Sequence, residues 1–316
     1  MTDEGEGGYW PPPEHGPARD LVGYGAEPPV VSWPNGARLA VSFCLNVEEG
    51  SERSFAFGDA ANEPNPDYPK PFPADVRDLT TESLFEYGSR VGVHRVLELF
   101  EDLGVTCTAF ACAVALAANP SVGRRLVDAG HEVCSHGLRW TEPWTLGREA
   151  ERDAIHDAVR LFEDTVGVRP RGWYSRYGPS IHTRELLHAE GFAYDSDAYN
   201  DDLPYYVEVA GDHHLVVPYT MLYNDAQMAG RVGGEEWLAS LVRGFDQLLA
   251  ESATTPKLLS IGLHPRFSGQ AARASLLREF IEHAQSTGQA WFARRDEIAD
   301  VFTAQHPPPG PRTPTT

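Results

Sequence analysis

Ala40-Val41-Ser42-Phe43-Cys44-Leu45-Asn46-Val47 is an unbroken, largely apolar run that stops at two adjacent acids and a glycine, Glu48-Glu49-Gly50. A run of this kind reads as a buried strand, and its end is where a strand presents polar groups to a cleft. Successive side chains on an extended chain point to opposite sides, so only one of the two acids can face a given reaction centre. The other must find a different partner, and two environments allow two carboxyl roles.

Outward from this run, short apolar segments alternate with amphipathic ones. Strands are expected over 39–46, 106–111, 132–135, 172–174, 193–194, 215–217, 258–263 and 290–292, and helices over 87–103, 120–128, 146–166, 181–190, 235–251 and 271–287. Gly104, Gly130, Gly167 and Gly191 each follow a helical stretch, where a glycine stops a helix. Alternating β and α elements imply parallel strands joined by right-handed crossovers. Seven or eight such units predict an α/β fold of the (β/α) barrel kind, whose chemistry gathers at the carboxyl ends of the strands. No internal repeat is visible.

The length of 316 residues suits one catalytic domain, taken as 19–302, flanked by tails 1–18 and 303–316 that are rich in Gly and Pro and expected to be disordered. Between residues 56 and 79 lie five prolines, Pro64, Pro66, Pro69, Pro71 and Pro73, in a long excursion expected to serve as a lid or an oligomer arm. With 46 acidic against 26 basic residues the net charge is -20, and no basic stripe offers counter-charges to a phosphate backbone, so no nucleic-acid partner is expected. Neither a leader nor an apolar span is evident, which predicts a cytoplasmic protein without a membrane partner. Cys44, Cys107, Cys112 and Cys134 sit in apolar runs and read as core residues rather than a disulfide frame or a zinc site.

At the predicted strand ends stand Glu48-Glu49, then Ser135-His136-Gly137-Leu138-Arg139-Trp140, Tyr174-Ser175-Arg176-Tyr177, Asp195-Ser196-Asp197 and Gly262-Leu263-His264-Pro265-Arg266. Carboxylates, imidazoles and guanidiniums on one rim suit attack of water on an acyl carbon. A carboxylate takes the water proton, donors stabilise the oxyanion and an imidazole protonates the departing nitrogen. Glu48 or Glu49 is the candidate base, His264 the candidate acid, and His136 an oxyanion donor or metal ligand. The chain lacks a Gly-x-Ser-x-Gly elbow and a Gly-rich phosphate loop, which argues against a serine hydrolase or a nucleotide enzyme.

In this order the motifs resemble the polysaccharide deacetylase (NodB-homology) superfamily, and more closely its allantoinase-like branch. The branch-specific stretches are Arg19-Asp20-Leu21-Val22-Gly23-Tyr24-Gly25, Leu45-Asn46-Val47-Glu48-Glu49-Gly50, Ser83-Leu84-Phe85-Glu86-Tyr87-Gly88-Ser89-Arg90, Ser135-His136-Gly137-Leu138-Arg139-Trp140, Gly172-Trp173-Tyr174, Asp201-Asp202-Leu203-Pro204-Tyr205 and Leu259-Ser260-Ile261-Gly262-Leu263-His264. The resemblance spans about 18–302 and implies a distorted (β/α) barrel. It implies catalytic roles for Glu48 (base), His264, Arg176 and Asp197, and substrate contacts from Glu49, His136, Arg139, Trp140 and Tyr174. Deacetylases proper bind a divalent metal through an acid of the first motif and two histidines four residues apart. Here Glu49 takes the acid position and Trp140 the second histidine position. No cofactor is therefore expected; a metal such as zinc, if present, would have only Glu49 and His136 as ligands.

The implied function is hydrolysis of a non-peptide carbon-nitrogen bond, ring-opening of allantoin to allantoate in purine catabolism, by a homo-oligomer acting on a small molecule. An N-deacetylase or other amidohydrolase of an N-acetylated sugar is the alternative. A catalytically silent barrel that binds a ureide or sugar is the second.

Overall fold

A computed structural model of the chain describes residues 16–64, 72, 73, 75–228 and 232–309. Most of the two expected tails, and the middle of the proline-bearing excursion, lie outside the described residues.

Strand β1 (Leu39–Val47) is buried along its whole length. Helices α1 (Leu79–Tyr87) and α2 (Val93–Leu103) follow it, separated by a π-helical turn at Gly88–Gly92. Next come β2 (Thr108–Ala111), α3 (Ala113–Ala118), α4 (Pro120–Asp128), β3 (Glu132–Ser135), α5 (Arg148–Val166), β4 (Gly172–Trp173), α6 (Thr183–Glu190) and β5 (Tyr194–Asp195). The chain continues through β6 (Tyr205–Val209), β7 (Asp212–Val216), α7 (Asp225–Met228), α8 (Gly234–Glu251), β8 (Lys257–Leu263), α9 (Pro265–Ser268), α10 (Ala271–Ser286), β9 (Ala290–Phe292) and α11 (Arg295–Gln305). The helix α11 was not expected, and it carries the folded chain beyond residue 302 to Gln305.

The sheet runs β6-β7-β5-β4-β3-β2-β1-β8, with β9 also paired to β1. All pairings are parallel except the β6–β7 hairpin. This sheet curls into the expected distorted barrel. Its seam is drawn together where Asn224 bridges Gly262 and the Gly262 N–H donates to the Tyr223 carbonyl at 3.0 Å.

Alternation along β1 divides the protein into two apolar layers. Leu39, Val41, Phe43, Leu45 and Val47 face outward into a core shared with Val96 and Phe100 of α2, Phe162 of α5, Trp237 of α8 and Phe280 of α10. Ala40 and Cys44 face inward with Phe110, Cys134, Tyr174, Tyr194 and Tyr219. The four cysteines are free and buried, as expected.

Polar groups share the barrel interior, and Arg295, wholly buried at the start of α11, ties them together. Its guanidinium donates to Ser196 Oγ at 2.8 Å, Ser260 Oγ at 3.0 Å and the Pro218 carbonyl at 2.6 Å, and to the Val217 carbonyl. Since Val217 and Pro218 follow β7 and Ser260 lies on β8, this one side chain crosses the barrel seam. The sequence pattern hid it, because an Arg after a short strand looks solvated.

Two outcomes are expected from these contacts. Arg295→Met leaves buried carbonyl and hydroxyl oxygens without donors and lowers stability by about 2–4 kcal/mol in urea unfolding; a loss below about 0.5 kcal/mol would mean that the seam closes without it. Exposed Ala210 and its neighbour Gly211 turn the β6–β7 hairpin with φ of 52° and 83°. That left-handed geometry strains alanine, so Ala210→Asn should raise stability by about 0.5–1 kcal/mol in the same assay.

Candidate active site

Three inward-facing columns of the barrel end at one place. The even-numbered positions of β1 lead to Glu48, those of β3 to His136 and those of β8 to His264. His136 Nε2 and His264 Nε2 each lie 3.4 Å from Glu48 Oε1, and all three residues are at most 5% exposed. Of the adjacent acids, then, Glu48 is the one that faces the centre. Glu49 turns to the helix layer, so close to Gly88 that a Cβ there would lie 2.4 Å from its Oε1. This is why the turn at Gly88–Gly92 needs a glycine where it passes the acid.

Hydrogen bonding sets the tautomers of both imidazoles. His136 Nδ1 is 2.6 Å from the Tyr174 carbonyl, which can only accept, so Nδ1 carries a proton and the singly protonated tautomer leaves Nε2 bare. The Tyr174 ring stacks on the imidazole with centroids 5.0 Å apart and planes 9° apart, and Phe110 stacks on Tyr174 at 4.7 Å. His264 Nδ1 is 2.6 Å from Asp225 Oδ1, while Asp225 Oδ2 accepts from the His264 backbone N–H at 2.9 Å and from Ser268 Oγ at 2.5 Å. Burial opposes the His264 charge, but Glu48 and Asp225 outweigh it and push this imidazole up to about 9.

Pro265 at the first position of α9 turns the chain sharply after His264 and brings Arg266 back over the site. Its Nη1 donates to Glu48 Oε2 at 2.6 Å and lies 3.6 Å from Glu49 Oε1. Despite full burial, the Arg266 and His264 charges hold the Glu48 carboxyl well below its usual range. Glu49 goes the other way: burial, reinforced by Glu48 and opposed by Arg266, pushes it up to about 7. The neighbouring acids thus differ in charge as well as direction.

Other expected residues lie in the supports. Arg176, assigned above to catalysis, is 2% exposed and has its guanidinium against Glu63, with Nη1–Oε2 at 3.0 Å. It also donates to the Trp140 carbonyl at 2.5 Å and stacks on the Trp140 ring at 3.8 Å. It latches the loop after β1 to the loops after β3 and β4. Asp197 accepts from the Ser175 N–H and hydroxyl, both at 2.7 Å, which secures the segment whose Tyr174 carbonyl orients His136. Burial and nearby Asp195 push Asp197 up to about 7. Arg139, expected at the substrate, grips Asp59 at 2.7 Å and the Glu52 carbonyl at 2.9 Å. These contacts pin residues 51–63 as a strap; stretch 65–71 of the excursion lies outside the described residues.

Glu63, Asp225 and Arg266 received no role from the sequence. Arg266 stood in a quoted strand-end motif, and that adjacency to His264 was the available signal. Asp225 is 39 residues from the ring it orients, with nothing local to mark it.

A metal ion has a poor seat here. Glu48 and the bare His136 Nε2 could supply two donors, but Glu49 points away, Trp140 offers no lone pair, and the Arg266 charge already sits on Glu48 Oε2. The donor set does not fit a divalent cation.

Residues 76–192 match the family model described as polysaccharide deacetylase. A Schizosaccharomyces pombe protein whose name places it among the polysaccharide deacetylases is 36% identical over 321 residues, covering 92% of this chain and 98% of that one. Among solved structures, a Pseudomonas aeruginosa protein named for the same family superposes with a TM-score of 0.86 at 45% identity, covering 92% of this chain and 99% of its own. The structure of Puue allantoinase also gives 0.86, at 44% identity, covering 92% of this chain and 98% of its own.

The Asp225–His264 contact has a direct consequence. In proton NMR, His264 should remain protonated until about pH 9. In Asp225→Asn the imidazolium loses its carboxylate partner, so its midpoint should fall by about one to two units. An unchanged midpoint would show that Asp225 does not hold the charge.

Proposed function

The chain belongs to the polysaccharide deacetylase family of hydrolases, and from that premise we propose that it opens the ring of a small cyclic ureide, allantoin, to give allantoate. The observation that carries this reading is enclosure: Glu48, His136 and His264 are at most 5% exposed beneath a strap latched by Arg176 and Glu63. Such a site suits a compact polar ring better than a chain of sugars. Similarity to Puue allantoinase over 92% of the chain supports the same substrate.

Hydrolysis then proceeds as follows. Arg266 holds Glu48 Oε2, leaving Oε1 beside the bare His136 Nε2, and these two acceptors align the attacking water. As the water oxygen bonds to the ring carbonyl carbon, its proton passes to this pair. His264, a cation at neutral pH, faces the same centre and gives its Nε2 proton to the ring nitrogen as the C–N bond breaks. The products are a carboxylate and a terminal urea nitrogen. Asp225 stabilises the imidazolium before the transfer and receives the Nδ1–H throughout.

The second reading is removal of acetate from an N-acetylated sugar, favoured by the Pseudomonas aeruginosa and Schizosaccharomyces pombe relatives named for that chemistry. Incubating the protein in parallel with allantoin and an N-acetylated chito-oligosaccharide, while following allantoate and acetate, separates the two. Allantoate alone is expected; acetate alone would overturn the ureide assignment. Glu48→Gln and His264→Ala should each lower turnover by about 10²–10⁴, and equal residual rates in wild type and both variants would indicate a binding barrel. Because the acid is His264 in its protonated form, activity should fall as pH rises through about 9.

A further inference from the structure

We propose that Arg266 is the site's built-in cation: ringed by Phe85, Phe267 and Trp140, it positions the Glu48 carboxylate, the task a divalent ion would perform if residue 140 were a histidine. Arg266 is 5% exposed, and its guanidinium meets the carboxylate at 2.6 Å. Three aromatic faces surround it, Phe85 at 4.6 Å, Phe267 at 5.0 Å and Trp140 at 5.4 Å from the guanidinium carbon. Cations bind such faces through the ring quadrupole, more strongly when desolvated. The indole also carries Arg176 at 3.8 Å, so Trp140 links the two guanidiniums.

The backbone around Arg266 is built for this placement. Pro265 begins α9, and the helix lies so near the π-helical turn that a Cβ on Gly92 would meet the Pro265 carbonyl oxygen at 2.1 Å. Gly88, at the other end of that turn, leaves room for Glu49. One turn therefore seats both the helix carrying Arg266 and the acid that has left the centre. A fixed cation beside Glu48 accounts together for the indole at position 140 and the short α9.

Arg266 acts through Glu48 and is a positioning residue. Its kinetic test rests on the allantoin reading, whereas its metal-binding test does not. For the latter, zinc is titrated calorimetrically into Trp140→His and into Trp140→His/Arg266→Met, with circular dichroism confirming the fold. The double variant, having Glu48, His136 and the new imidazole without the competing charge, should bind about one zinc per chain at least about 100-fold more tightly than the single variant. Equal affinities, or no binding by the folded double variant, would overturn the proposal. Arg266→Ala should lose about 10²–10³ in allantoin turnover and recover at least about tenfold with millimolar methylguanidinium but not methylammonium, which lacks the planar fork. Full activity in Arg266→Ala, or no rescue of a folded and impaired variant, would also overturn it. If wild type leaves allantoin untouched, the ureide assignment fails while the zinc comparison still decides the role of Arg266.

Discussion

The two-residue period of a strand in a closed sheet is the constraint on which the site depends. Nine buried residues of β1 commit their odd positions to the helices and their even positions to the barrel interior. The chain leaves the strand with that alternation intact, and Glu48 and Glu49 inherit it. One becomes the hub for two imidazoles and a guanidinium, and the other enters the helix layer beside Gly88. A one-residue slip of β1 would exchange them, and it would also drive Phe43 and Leu45 into the interior. The hydrophobic register that builds the outer core therefore also selects the acid.

Burial then sharpens the chemistry. A lone carboxylate as enclosed as Glu48 would be neutral, yet Arg266 and His264 keep it charged, while Glu49, a few ångströms from the same guanidinium, is raised toward neutrality. His264 is charged because Glu48 and Asp225 flank it. The centre is a mutually dependent cluster, and breaking one partner leaves another unpaired in a dry setting. Outside it, the Arg176–Glu63 and Arg139–Asp59 pairs secure the strap.

Much of the architecture was legible because it rests on local signals. The apolar runs marked most strands, amphipathic periodicity marked the long helices, and Gly104, Gly167 and Gly191 end theirs in left-handed geometry. Elements lacking such signals escaped: α3 and α9 are too short to show a period, β6 is half-exposed and reads as loop, and α11 was obscured by the Pro-rich segment after it. Within the site, Glu48, His136 and His264 were found because each directly follows a strand. Asp225 and Glu63 were not, since each meets its partner from a distant loop.

By itself the sequence determined the alternating strand and helix order, the barrel class, the strand-end residues and the rule that adjacent acids must face opposite ways. These follow from local chain geometry and hydrophobic period. Only the tertiary structure decided which acid turns inward, that Arg266 rather than Arg176 or Arg139 pairs with it, that Asp225 holds His264, and that Arg295 spans the seam. Those outcomes depend on charged groups from distant segments being desolvated together, and which charge ends beside which is settled only when the barrel closes.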